Sequence, residues 1–157
     1  MDELKNYKYR GARACVLLHE KHLRDCLAVW KQAKAANIKL PETTDEDYQS
    51  LETLLSHIFR AARGYMVWIC KSLELPDPEI RSAPELDTVS AQADSYLEHV
   101  LERWRLPLAN ISGETIDRSE FVSNWGVTYC IDGMLEHAVM HPIRHGFQLE
   151  NLINEQV

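Results

Sequence analysis

Apolar residues recur with helical period in four long stretches of this chain. The first runs from Tyr9 to Ala36. Stepping about 100° per residue from Leu18 gathers Cys15, His22, Cys26, Val29, Trp30 and Ala33 into one arc and leaves Lys21, Arg24 and Lys31 outside it. The second spans Asp45 to Leu73, with Leu51, Leu54, Leu55, Ile58, Ala61, Ala62, Tyr65, Trp68 and Ile69 facing inward; Thr43 and Glu46 have the form of a capping box at its start. The third, Thr88 to Arg105, turns Tyr96, Leu97, Val100, Leu101 and Trp104 inward, and the last, Thr128 to Asn154, does so with Met134, Leu135, Ala138, Val139, Leu149, Leu152 and Ile153.

Between these stretches the period breaks for physical reasons. Pro41 lies in the first connector, and Pro76, Pro78 and Pro84 remove backbone donors between Leu75 and Asp87, which predicts an irregular loop. No helical period persists from Leu106 to Gly126, where Ser112-Gly113 predicts a turn between two short, extended pieces. A connection of that length suits a lid, a dimer arm or a plain connector. The pattern predicts an all-α fold: a four-helix bundle with an irregular or short extended segment before the last helix, as a single domain over residues 1–157.

Composition narrows the class. At 45% apolar and 26% charged residues the chain has the make-up of a packed globular domain, not of a disordered one. Cys15, Cys26, Cys70 and Cys130 form no C-x-x-C pair, the N-terminal residues carry no signal-peptide pattern and no apolar run approaches the ~20 residues of a membrane span. A cytoplasmic protein with reduced thiols, no membrane partner and no nucleic-acid partner is expected, since the net charge is -7 and the basic residues are dispersed.

The candidate chemistry lies in the histidines. His137, His141 and His145 are spaced four apart on the last helix, so neighbours in the series lie one turn apart on one face and can share an ion. His141 and His145 fall at the edge of the inward arc and His137 just outside it, while His57 lies at the corresponding edge of the second helix beside Leu54, Ala61 and Trp68. Bundles build metal sites from facing helices in this way, and neutral imidazole is a strong donor to Zn, Ni, Fe or Cu. The other reading of each histidine is a hydrogen-bonded packing residue, and His19, His22 and His99 are read so, with His22 also facing the helical core where it can line the same cavity. His19-Glu20 fails the H-E-x-x-H pattern because His22 comes one position early, and no Glu-x-x-His is present for a ferritin-like di-iron site.

Leu54-Leu55-Ser56-His57-Ile58 on the second helix, together with Glu136-His137-Ala138-Val139-Met140-His141-Pro142-Ile143-Arg144-His145-Gly146-Phe147-Gln148-Leu149 on the last, resembles the DinB-like (DinB/YfiT) superfamily of metal-dependent four-helix proteins. The resemblance implies that His57, His141 and His145 are the ligands of one divalent transition metal ion, Zn or Ni, with His137 an extra. On the helical wheel Gln148 points towards the metal side, where it is a candidate for orienting a ligand, the other reading being a surface glutamine. Two departures stand out. Gly146 follows the last ligand where the family usually has Arg, and Pro142 sits between the two ligands of the last helix, where it removes a hydrogen bond to the Ala138 carbonyl and can turn His141 away from His145 in favour of His137.

The resemblance further implies a homodimer and a transferase or isomerase that uses a low-molecular-weight thiol, with three neutral imidazoles leaving the ion's charge free to favour a thiolate, and with Tyr65, Trp68 and Trp104 as possible walls for a small-molecule substrate. Activated water, giving a hydrolase, is a variant of the same site. The competing reading is a non-catalytic bundle, a small-ligand-binding or stress-associated protein in which the metal only staples helices. Cys130 is nearly three turns from the histidine pair and is read as a packing residue.

Overall fold

A computed structural model describes residues 3–157 and is mostly helical, with one small two-stranded sheet. After a 3-10 turn at Glu3–Asn6, helix α1 spans Arg10–Ala35; a second 3-10 turn at Glu46–Tyr48 leads into α2, Leu51–Ser72. Helix α3 covers Ala93–Trp104, a short α4 covers Gly113–Arg118, and strands β1 (Glu120–Val122) and β2 (Thr128–Cys130) precede α5, Ile131–Gln156. No described helix is long and apolar enough to cross a membrane. All four described cysteines are free thiols.

The packing directions follow from which residues meet. The Tyr9 hydroxyl at the start of α1 donates to Asp132 at the start of α5 (3.2 Å), and Lys39 and Gln156 exchange hydrogen bonds beyond the far ends, so these two most extensively packed helices run parallel. Helix α2 opposes both: the Trp30 indole N–H in the later part of α1 donates to the Leu51 carbonyl at the start of α2 (2.6 Å), and His57 and Tyr65 meet His141 and His137 in descending order along α5. Helix α3 also opposes α1, through Arg24–Glu98, Lys31–Asp94 and the paired hydrogen bonds of Arg105 to Glu20. Trp30, Phe59, Met66, Leu101 and Trp104 are fully enclosed among these four helices. The Trp104 indole N–H donates to the Ala62 carbonyl (2.9 Å), so even the largest core side chain leaves no polar atom stranded.

Local chemistry corrects several boundaries. The capping box belongs to Ser50 and Thr53, which exchange side-chain and backbone hydrogen bonds at the start of α2, and not to Thr43 and Glu46. Upstream, the Asp45 carboxylate accepts from the Asp47 N–H and holds the separate 3-10 turn. Residues 86–92 form turns, so α3 begins later than its apolar pattern predicts. Ser112-Gly113 starts α4, which buries Ile116, and the extended pieces lie beyond it, with Thr128 to Cys130 in β2 and not in the last helix. The strands pair antiparallel, Phe121 opposite Tyr129, around a Ser123–Val127 turn in which Gly126 takes φ +84, a conformation costly for any residue with a Cβ. Trp68 on α2 ties this hairpin down, donating from its indole N–H to the Val122 carbonyl (3.1 Å).

The inward face of α1 also differs from the arc drawn through Leu18. Ala12, Val16, His19, Leu23, Cys26, Leu27, Trp30 and Ala33 are buried, whereas Leu18 is 44% exposed and Cys15, His22 and Val29 lie at the margin. His19 is the reason. A buried imidazole sits at the centre of the true face, where polarity alone counts it as solvent-facing. Its ring stacks on Trp104 with centroids 3.7 Å apart, and neither ring nitrogen has a hydrogen-bond partner in the structure. Burial pushes its pKa down to about 3, so the ring stays neutral.

His19 therefore makes stability depend on pH with a definite sign. Its unfolded-state pKa is near 6.5, and the folded state refuses the proton until far lower pH, so its stabilising contribution is complete above about 6.5 and is lost as pH falls towards about 3. His19→Phe keeps the stack on Trp104 and removes that proton. Chemical denaturation between pH 6.5 and 4 should show the variant losing less stability than the parent, by up to about 1.4 kcal/mol per pH unit; identical slopes would show that His19 is accessible to protons in the folded chain.

Candidate metal centre

Antiparallel packing of α2 on α5 brings His57 opposite His141 and His145. The Nε2 atoms of His57 and His141 lie 3.0 Å apart and those of His141 and His145 3.3 Å apart, and one ligand nitrogen from each ring lies within 4.8 Å of the others. Metal–nitrogen bonds of ~2.0 to 2.1 Å at a tetrahedral angle separate the two nitrogens by ~3.3 Å. The three imidazoles can therefore hold one ion with little movement.

The outer nitrogens decide what the inner ones carry. His57 Nδ1–H donates to Asp47 Oδ2 (3.0 Å), and His145 Nδ1–H donates to Gln148 Oε1 (3.1 Å), which leaves a lone pair on Nε2 of both rings. His141 has one Nε2 between them and can offer at most one proton there, so the cluster cannot satisfy itself with hydrogen bonds alone. A cation at the point of convergence satisfies all three. This donor set, not any bound group, is the fit of the site to a metal.

Electrostatics keeps the rings ready. Burial, then the neighbouring charges of His145, His57, Arg144 and His137, push the His141 pKa down to about 2; burial and the His57 charge bring His145 to about 4 against an opposing hydrogen bond from Gln148. An ion thus displaces no proton from either ring at neutral pH. Partial burial pushes the Asp47 carboxyl up, but hydrogen bonding and charge from Arg60, together with His57, hold it below the usual carboxylate range, so it remains an acceptor for His57.

Pro142 does not break the pair. Helix α5 continues through it, and His141 and His145 stay one turn apart with their nitrogens together. His137 stands outside the cluster, packed among Tyr65, Trp125 and Tyr129 at centroid distances of 5.5, 5.3 and 5.6 Å. His22 lies on the other side of α5, against Pro142, Ile143 and Phe147, and does not line this site. His99 accepts from the Arg81 N–H at the surface, Trp104 is buried away from the site in the core, and Cys130 caps the start of α5, its Sγ accepting from the Gly133 N–H.

The three histidines open onto a cavity of about 610 Å³ whose walls include Tyr48, Tyr65, Trp68, Trp125, Arg144 and Gln148. Asn124 and Trp125 come from the hairpin turn, so the segment before α5 forms one side of the site. Asp47 and Tyr48 were not legible as site residues in the sequence. They reach His57 and His145 from the 3-10 turn ahead of α2, and only the Ser50 cap, which breaks the helix there, places them so. Compared with family models, curated proteins and solved structures, the chain matches none of them.

The outer contacts make a graded test. Alanine at His57, His141 or His145 should abolish stoichiometric binding of Zn, measured by competition with a chromophoric chelator, whereas Asp47→Asn should weaken it about 10- to 100-fold with the fold intact. Undiminished affinity in Asp47→Asn would show that the carboxylate does not orient His57.

Proposed function

We propose that the chain is a DinB-like four-helix-bundle metalloenzyme, a homodimer, that uses His57, His141 and His145 to hold one divalent transition ion, Zn or Ni, for transfer or isomerisation chemistry with a low-molecular-weight thiol. The observation that carries this reading is the convergence of three imidazole Nε2 atoms, without a protein carboxylate or thiolate among them, at the wall of a cavity large enough for a substrate. An ion held by neutral imidazoles keeps its full charge, which favours a thiolate over a thiol in its vicinity.

The chain's own side chains supply the rest. Asp47 and Gln148 hold His57 and His145 in the tautomer that faces inward. Tyr65, Trp68 and Trp125 keep one side of the cavity apolar and restrict water. In a transfer, the thiol proton leaves to solvent, sulfur bonds to an electrophilic carbon of the second substrate, and the leaving group departs with its electron pair.

A second reading has one observation behind it: the ligands come from α2 and α5, so an ion also ties two core helices together. The two readings diverge on chelation. Elemental analysis of protein purified without an affinity tag should find about one equivalent of transition metal, lost in His141→Ala and His145→Ala. The cobalt-loaded protein should develop thiolate-to-metal charge-transfer absorption when a small thiol is added, and chelation should abolish thiol transfer to an activated halide while the helical signal persists. A lowered melting temperature on chelation, with neither thiol absorption nor transfer in the loaded protein, would favour the stapled bundle.

A further inference from the structure

The charge and shape of the metal cavity say more about its occupant than the ligands do. Asp47, Arg60 and Arg144 are the charged side chains of its wall. Asp47 is engaged by both Arg60 and His57, so its charge is already met. Arg144, an exposed residue, has no carboxylate partner among the described residues, whereas Arg60 in the same wall is paired with Asp47. The wall of this cavity thus carries an uncompensated cation, to which a divalent ion held by the three histidines would add.

Another part of the wall is aromatic. Trp125 projects from the hairpin turn, 48% exposed although it packs on His137 and lies 6.4 Å from Tyr65. A large ring held by a turn at a cavity mouth, with half its surface uncovered, offers a flat apolar face to a ligand.

We propose that this cavity takes an aromatic carboxylate, its carboxylate on Arg144 and its ring against Trp125 and Tyr65. The proposal rests on reading His57, His141 and His145 as the metal end of the same cavity, and it names the class of the second substrate. A guanidinium matches a carboxylate through two parallel N–H donors, which neither a neutral ligand nor a thiol can use. The cavity volume of about 610 Å³ leaves room beside such an acid for a thiol.

Isothermal calorimetry on the metal-loaded protein tests this with 2-naphthoate, its neutral analogue 2-naphthamide and the saturated cyclohexanecarboxylate, with metal content measured on the same samples. The aromatic acid should bind roughly tenfold or more tightly than either analogue. Arg144→Gln should weaken 2-naphthoate roughly tenfold and leave 2-naphthamide unchanged, with Arg144→Lys recovering part of the loss. Trp125→Ala should weaken 2-naphthoate and spare cyclohexanecarboxylate. Far-UV circular dichroism confirms the fold of each variant, and none of them should change the metal content.

Equal binding of the acid and its amide would overturn the proposal. So would an unaffected Arg144→Gln variant, and loss of binding in His141→Ala alone would then put the carboxylate on the ion. Metal-replete protein that binds none of these acids refutes the proposal and leaves the metal reading standing. Protein that takes up no metal on reconstitution yet binds 2-naphthoate through Arg144 supports the carboxylate site and refutes the metal reading.

Discussion

Three imidazole nitrogens that face one another without enough protons to share are the constraint on which this structure turns. Such an arrangement is unfavourable in an empty core, because lone pairs at hydrogen-bonding distance repel unless something positive lies between them. The fold nevertheless enforces it. Asp47 and Gln148 direct two of the rings inward, the packing of α2 against α5 brings them together, and burial keeps His141 and His145 neutral. Elsewhere in the core only the His19 ring nitrogens lack partners among the described buried side chains: indole N–H groups of Trp30 and Trp104 find backbone carbonyls, and the surface of α1 and α3 is laced with ion pairs.

The helices and the histidine cluster were legible in the sequence for different reasons. Apolar periodicity marked α2 and α3 because their buried faces consist almost wholly of apolar side chains, and α5 because Met134, Leu135, Ala138, Val139 and Leu149 outline its face beside the two buried histidines. On α1 the same signal pointed to a face rotated towards Leu18, since His19 stands at the centre of the true one and a lone histidine carries no label saying whether it is wet or dry. The four-residue spacing on α5 placed His141 and His145 together whatever the helix packs on, whereas His57 could be joined to them only through the resemblance or the fold.

Two features lay beyond the sequence because they depend on backbone geometry. Asp47 reaches His57 from a 3-10 turn whose end is set by the Ser50–Thr53 cap, a shift of a few residues that propensity does not resolve. Pro142 threatened the opposite outcome. Its missing donor costs one hydrogen bond within α5, yet the helix on either side is held by its packing on α1 and α2, and the two ligands keep their relation.

The hairpin between α4 and α5 meets the rest through contacts that include Trp68 to Val122, Phe121 against Trp68, Trp125 against Tyr65, and the rings of Trp125 and Tyr129 against His137. Its turn contributes Asn124 and Trp125 to the cavity but nothing to the histidine cluster or to the enclosed core. Trp125 and the histidine cluster therefore sit on separate pieces of chain, whereas Arg144 shares α5 with His141 and His145. A change confined to the five residues from Ser123 to Val127 would reshape that wall of the cavity without touching a single imidazole of the cluster.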